Sequence, residues 1–212
     1  GRLIYEAELV NKQTHSQRVM PMADAALAMN DMTAAEIDVF GAVTGPGSFT
    51  GVRIGVATVM GLAGDKPCAP VDALEALAAQ GADFPGLVCP ILDARAGQVY
   101  AAVFEGGARL TDDAPVKLEA LLDDLRGRGK PCLFLGDGAT ANLARLAQEP
   151  FARVAPEPLR GLRASFAARL AAARPETYVS ADALRPLYLR APQAERARNA
   201  RLGLAGEEES HG

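Results

Sequence analysis

An α/β fold is predicted for this 212-residue chain by two observations. A strand, a glycine-rich turn and an apolar helix follow one another between Asp38 and Ala63. Farther on, a helix (Leu118 to Gly127), a buried strand (Cys132 to Leu135) and another helix (Thr140 to Gln148) alternate in the order that favours parallel pairing of strands.

Taking the elements in turn, Leu3 to Val10 alternates apolar residues at Leu3, Tyr5, Ala7 and Leu9 and reads as a strand. Asn11 to His15 makes a turn, and a helix follows to about Asn30. Between Val19 and Met29 only Pro21 and Asp24 are not apolar, so this helix is hydrophobic nearly all round, whereas a surface helix carries one stripe. One of its faces must meet something besides its own sheet. Pro21 removes an amide and crowds the preceding turn, which predicts a kink or a helix that becomes regular only there. Thr33-Ala-Ala-Glu36 fits a capping box that opens one short turn before a strand from Val39 to Thr44.

The turn after that strand reads Gly45-Pro46-Gly47-Ser48-Phe49-Thr50-Gly51. Gly45 and Gly47 permit backbone angles barred to other residues, Pro46 stiffens the turn, and Ser48 or Thr50 can cap the helix. Strand, glycine turn and helix N-terminus together resemble a phosphate cradle. The lysine that a P-loop aims at a nucleotide's phosphates is absent, so the loop by itself is a weak nucleotide signal. The helix from about Ser48 to Ala63 carries Val52, Val56, Val59 and Met60 at helical spacing. Gly51, Gly55 and Gly61 each cost roughly 1 kcal/mol against alanine there, which makes sense where another backbone packs close, in the same chain or in a partner.

A strand near Cys68 to Val71 and a helix near Leu74 to Gln80 close the first half, and Pro85 and Gly86 punctuate a boundary. Leu87 to Asp93 and Gln98 to Phe104 form a hairpin around Ala94-Arg95-Ala96-Gly97. Arg163 to Ala173 is an alanine-rich helix, and Glu207 to Gly212 has too little apolar content to order itself.

Charge and composition narrow the chemistry. Net charge is -4 with a pI of about 5.3, aromatics make up 5% of residues, and tryptophan is absent, all of which disfavour a self-contained RNA-binding module. Cys68, Cys89 and Cys132 are odd in number and far apart, so they read as buried small hydrophobes in a reducing compartment. No run reaches the ~18 apolar residues of a membrane span, and the first residues show no signal-peptide pattern, so cytosol is the default. The two histidines, His15 and His211, cannot assemble a His-rich metal site, and Ser48 has only His15 as a histidine base for serine chemistry. Asp93 and the Gly136-Asp137-Gly138 run stand where a phosphate or nucleotide could be met, and both suit ordinary turns equally well.

The run Gly45 to Ala63 resembles the TsaB family, together with Thr14-His15-Ser16, Val71-Asp72-Ala73-Leu74-Glu75-Ala76-Leu77-Ala78, Leu92-Asp93-Ala94-Arg95 and Pro186-Leu187-Tyr188-Leu189-Arg190. The resemblance spans about Gly1 to Arg190 in order. It implies two ribonuclease-H-like lobes of the actin-like ATPase superfamily, with mixed sheets flanked by helices. Residues 1–85 would form the first lobe, 86–162 the second, 163–190 a helix returning to the first, and 191–212 a charged tail. The family starts with two strands that this chain does not show, so the resemblance implies missing N-terminal strands, unpaired sheet edges and an open core.

Functionally, the resemblance implies a non-catalytic partner of TsaD, acting with the ATPase TsaE. The assembly moves threonylcarbamoyl from its adenylate to N6 of the adenosine beside the anticodon (t6A) in tRNAs that read codons beginning with A. It implies pairing with TsaD, or homodimerisation in isolation, through the first two helices of the first lobe. On this chain the interface residues would be His15, Val19, Met22, Ala23, Ala26, Phe49, Val52, Arg53, Val56 and Met60. No cofactor is expected in this chain alone, any nucleotide being held within the complex, and tRNA is met only through the complex. The alternative is an ATP-binding ATPase or kinase-like enzyme of the same superfamily. Members have also been labelled glycoproteases, chemistry for which this sequence offers no residues.

Arg185, Arg190, Arg198 and Arg201 form a local positive excess in an acidic chain and are the candidate RNA contacts, against the simpler reading of a solvated helical face. Reversing two of these charges is expected to weaken RNA binding by the assembly and to flatten its dependence on salt. Binding titrations at several ionic strengths check this, an unchanged slope counting against the contact.

Overall fold

The computed structural model describes residues 1–9 and 15–189. Residues 1–9 contain no strand. The alternating pattern from Leu3 is real, but a strand exists only as part of a hydrogen-bonded ladder, and no described strand runs beside it. Glu6 ties the segment down instead: its carboxylate accepts the Ser165 amide at 2.7 Å and Arg163 Nε at 3.1 Å. The Arg163 guanidinium, aided by Ser165, outweighs partial desolvation and holds this carboxyl down to about 2.

Helix α1 (His15–Ala28) carries Pro21 in its middle, so its regular part does not wait for the proline. The capping box forms as predicted, Glu36 Oε2 accepting the Thr33 amide at 2.8 Å and its hydroxyl at 2.9 Å. Strand β1 (Phe40–Gly45) leads through the glycine turn into α2 (Phe49–Ala63), whose N-cap is Ser48. Strand β2 (Cys68–Asp72) lies parallel to β1, Phe40 opposite Cys68 and Val43 opposite Val71. Asp72 ends β2 and caps α3 (Ala73–Ala79), accepting the Glu75 amide at 2.6 Å. Side chains alternate across the parallel pair, so both faces need cover. On one face Ala42 and Cys68 meet Val56 and Ala63 of α2, with Ala181 and Leu184. On the other, Ala69 and Val71 meet Ala76, Ala167 and Ala171.

The second sheet is built on β3 (Leu87–Asp93), a nearly continuous apolar run buried over its first five residues. The returning chain was expected as one strand from Gln98 to Phe104 and forms two, β4 (Gln98–Ala101) and β5 (Phe104–Glu105). Leu87 pairs with Glu105 and Ile91 with Ala101 in one register, so the break falls opposite Cys89 and Pro90. Pro90 has no amide to give, and Val103 turns to other partners: its amide donates to Thr111 Oγ1 at 2.9 Å and its carbonyl accepts from Leu110 at 2.7 Å. Two short strands that the sequence did not announce, β6 (Ala108–Arg109) and β7 (Ala114–Lys117), pair with β5 and β4.

Helix α4 (Leu118–Gly127) buries Leu118, Leu121, Leu122 and Leu125, and β8 (Cys132–Leu135) adds in parallel to the other edge of β3. The expected helix from Thr140 to Gln148 is two pieces, α5 (Asp137–Ala141) and α6 (Leu143–Leu146). Asn142 breaks it by giving its side-chain amide, not its backbone amide, to the Gly138 carbonyl at 2.8 Å. Another unannounced strand, β9 (Ala152–Val154), pairs with β8, and α7 (Glu157–Arg160) follows. Glu149 is buried between α4 and α6, where Arg126 and Arg145 reach it at 2.9 and 2.7 Å.

Helix α8 (Ala164–Ala173) brings the chain back onto β1, β2 and α3. Gln80 fixes that return, its side chain donating to the carbonyls of Leu159 and Gly161 and accepting the Arg163 amide at 2.7 Å. Cys68, Cys89 and Cys132 are free and fully buried, as composition predicts.

Gly136 starts α5 at φ +97°, and a Cβ there would lie 2.1 Å from the Ile91 carbonyl oxygen. Gly136→Ala is therefore expected to cost about 3 kcal/mol in denaturant unfolding, combining backbone strain with a displaced strand. Gly129→Ala is the control: its φ is +65° but nothing stands within 4 Å, so about 1 kcal/mol of strain remains.

Candidate functional site

The glycine turn, α1 and α2 form one continuous region. Gly45 has φ +129°, and a Cβ on it would lie 2.5 Å from the Leu187 carbonyl oxygen. The Leu187 amide donates to the Thr44 carbonyl at 2.8 Å, so the segment after α8 runs directly against the turn. Tyr188 then packs its ring on Phe49, centroids 4.9 Å apart, and Arg53 places its guanidinium 5.2 Å from the centre of the Phe49 ring. The glycine at position 45 is thus demanded by the approach of another backbone. That contact accounts for the turn without a bound phosphate.

Helix α2 has two unlike sides. Val56 is 2% exposed and sits in the core with Ala42, Cys68 and Leu184, while Val52, Val59 and Met60 pack against the same cluster. Val56 therefore faces inward, and Val52 and Met60 lean the same way, although all three belong to the set expected at a partner face. The outward stripe is Thr50, Arg53, Ala57 and Gly61, all exposed. Of these the sequence reading singled out only Arg53 as an interface residue. The helical phase held the rest of the signal: once the valines are assigned inward, the residues three positions before Arg53 and four and eight positions after it must point out. Gly55 and Gly61 have nothing within 4 Å of an added Cβ among the described residues.

Helix α1 packs on α2, and from Gln17 to Ala28 none of its residues is buried. Val19, Met22, Ala23 and Ala26 are half-buried, and Met20 and Met29 are 39% and 73% exposed. His15 is the first residue of the helix, and its side chain lies outside the described set.

The other candidates resolve as local structure. Asp93 accepts the Arg95 amide at 2.9 Å within its own turn, and its backbone amide donates to Asp137 Oδ1 at 3.0 Å, so Asp137 joins the start of α5 to the end of β3. Gly136 and Gly138 pack on the Ile91 carbonyl. Arg185 donates to the backbone carbonyls of Asp182 and Leu184, while Arg190, Arg198 and Arg201 lie outside the described residues. Among the described residues no three His, Cys, Asp or Glu are grouped to hold a metal ion, and no helix is long and apolar enough to cross a membrane.

Comparison with known proteins adds an independent line. A family model described as "TsaD: tRNA N6-adenosine threonylcarbamoyltransferase" matches residues 8–208. The chain is 41% identical over 131 residues to the tRNA threonylcarbamoyladenosine biosynthesis protein TsaB of Bacillus subtilis, covering 59% of this chain and 57% of that protein. It is 35% identical over 107 residues to the protein of the same name from Haemophilus influenzae, covering 46% and 45%. The chain thus spans about half the length of these curated relatives. Among solved structures, a Pseudomonas aeruginosa protein described as similar to the peptidase YEAZ superposes with a TM-score of 0.69 at 28% identity, covering 84% of this chain and 85% of that one.

The two sides of α2 predict opposite responses to one chemical change. Val56→Glu forces a carboxylate into the core and is expected to cost upward of about 3 kcal/mol, whereas Ala57→Glu is expected to stay within about 0.5 kcal/mol of wild type. Thermal melts of the two variants check this.

Proposed function

The chain belongs to the tRNA N6-adenosine threonylcarbamoyltransferase (TsaD) family, in its TsaB/YeaZ branch, and on that premise we propose that it serves t6A formation as a scaffold for a catalytic partner. The partner is TsaD, with TsaE completing the assembly that moves threonylcarbamoyl to tRNA in the cytoplasm. This chain carries no catalytic residue in that reading. It meets tRNA only through the complex, where the arginines from Arg185 onward are its contribution. Residues 1–85 with the returning segment 163–190 act as the docking lobe and 86–162 as the second lobe.

One observation carries the reading: α1 is apolar nearly all round from Val19 on, yet none of its described side chains is fully buried. Such a helix gains little from folding alone, and covering it with a partner would supply the missing burial at roughly 25 cal/mol per Å². Gly61 of α2 supports the same face, because it weakens the helix by roughly 1 kcal/mol without a close contact among the described residues to compensate. The docking set is accordingly Val19, Met22, Ala23 and Ala26 of α1, with Arg53, Ala57 and Gly61 on the outer side of α2. In isolation the same face would join two copies of this chain.

Co-purification with a TsaD protein tests the proposal. Ala57→Glu should reduce pairing at least about tenfold, equivalent to ~1.4 kcal/mol, while the melting temperature of the free chain is unchanged. Retained pairing would remove this face from the interface.

A further inference from the structure

Away from that face, one cluster of partly buried charges bridges the two sheets. Asp72 stands at the end of β2, Arg109 in β6 and Asp113 in the turn before β7. The Arg109 guanidinium lies against the Phe104 ring, 4.7 Å from its centre, and reaches Asp72 Oδ1 at 3.1 Å with one nitrogen and Asp113 Oδ1 with the other. The side chains of Asp72 and Asp113 are only 19% and 10% exposed, that of Arg109 30%. The other charges that bear on the site are Glu75 and Arg174, and these two pair with each other through both carboxylate oxygens. Glu176 acts on Arg174 from farther out. Counting Asp72, Asp113 and Glu75 against Arg109 and Arg174, three carboxyls face two guanidiniums, so the fully ionised cluster is left with one uncompensated negative charge in a partly dehydrated place.

We propose that Asp72, Arg109 and Asp113 form a proton-dependent latch that fastens the β5–β6 hairpin of the second sheet to the β2–α3 corner of the first. Asp72 Oδ1 is already engaged by the Glu75 amide and by Arg109, which leaves Oδ2 as the oxygen to carry the proton toward Asp113. With that proton in place the cluster is neutral and closed. When it leaves, two carboxylates compete for one guanidinium, and the hairpin is the piece free to move, because β6 is an edge strand paired only with β5. Burial first, and Asp113 second, raise the Asp72 carboxyl from its ordinary range to about 7, against the opposing pull of the Glu75 amide and Arg109. The latch therefore responds to changes near neutral pH. It is independent of the scaffold reading and would operate in the chain alone.

The sign of the linkage follows from the direction of that shift. The closed form holds a proton that the open or unfolded chain releases near pH 4, so closure is favoured at low pH and is lost as pH rises through about 7. Hydrogen exchange of the full chain reads this directly. After correction for intrinsic rates, amides in Phe104 to Arg109 should open roughly tenfold more often at pH 8 than at pH 6. Asp72→Asn should abolish that difference and Asp113→Asn should reduce it, since the burial of Asp72 remains, and asparagine at position 72 still caps α3. Carbon-13 titration of the Asp72 carboxyl should place its midpoint near neutrality in the wild type and lower in Asp113→Asn. The proposal is overturned by a hairpin whose opening is the same at both pH values, by variants that keep the wild-type difference, or by an Asp72 midpoint near 4.

Discussion

Parallel strands β1 and β2 can be stable only if both of their faces are covered, and most of the architecture answers that demand. Cys68 and Ala42 on one face and Val71 and Ala69 on the other leave no side fit for water. Helix α2 and the 181–184 turn close the first face, and α3 with α8 close the second. To reach its place α8 must return from the far sheet, and the hydrogen bonds of Gln80 to residues 159, 161 and 163 set that path. The cover on one side of α2 also decides what is left on the other. A helix pinned inward through Val52, Val56, Val59 and Met60 necessarily offers Thr50, Arg53, Ala57 and Gly61 outward.

Helix α1 gains nothing from this sheet directly and rests on α2. That arrangement gives the scaffold reading its physical content. In that reading, an apolar helix with no fully buried side chain and a second helix thinned at Gly61 together make a surface on which another helix pair can approach closely. The glycine turn takes a different part from the one its composition suggests. Its conformational freedom is used by the Leu187 backbone, which ties the end of the described chain to the start of α2. The same loop therefore sets the angle at which α2 leaves the sheet.

The second sheet, like the first, finds partners for its buried polar groups. Glu149 is buried between two arginines, and Val103 finds partners outside the ladder where Pro90 interrupts it. The Asp72, Arg109 and Asp113 cluster differs because its charges do not balance without a proton. It also lies where the two sheets meet, so a local titration there bears on how firmly they are joined. Glu6 is the opposite case, a carboxylate matched by Arg163 and the Ser165 amide and ionised far into the acid range.

By itself the sequence determined everything that depends on local pattern: the α/β class, the α2 and α4 helices, the β3 and β8 strands, the Thr33 to Glu36 cap and the three buried thiols. These follow from periodicity and capping chemistry, which act within a few residues. The tertiary structure alone decided whatever needs a neighbour distant in the chain. Leu3 to Leu9 has a strand's alternation without a ladder to join, and Asn142 ends a helix by bonding to Gly138. The short β6, β7 and β9 exist only because edges of the second sheet were open to receive them. Val56 and Ala57 read alike as small apolar residues of one helix, and only the position of the sheet sends one inside and the other out. The same holds for Asp72, one residue of a strand-to-helix run in the sequence, whose capping of α3 and coupling to Arg109 and Asp113 arise only in the fold, since electrostatic coupling depends on distance and dehydration rather than on order along the chain.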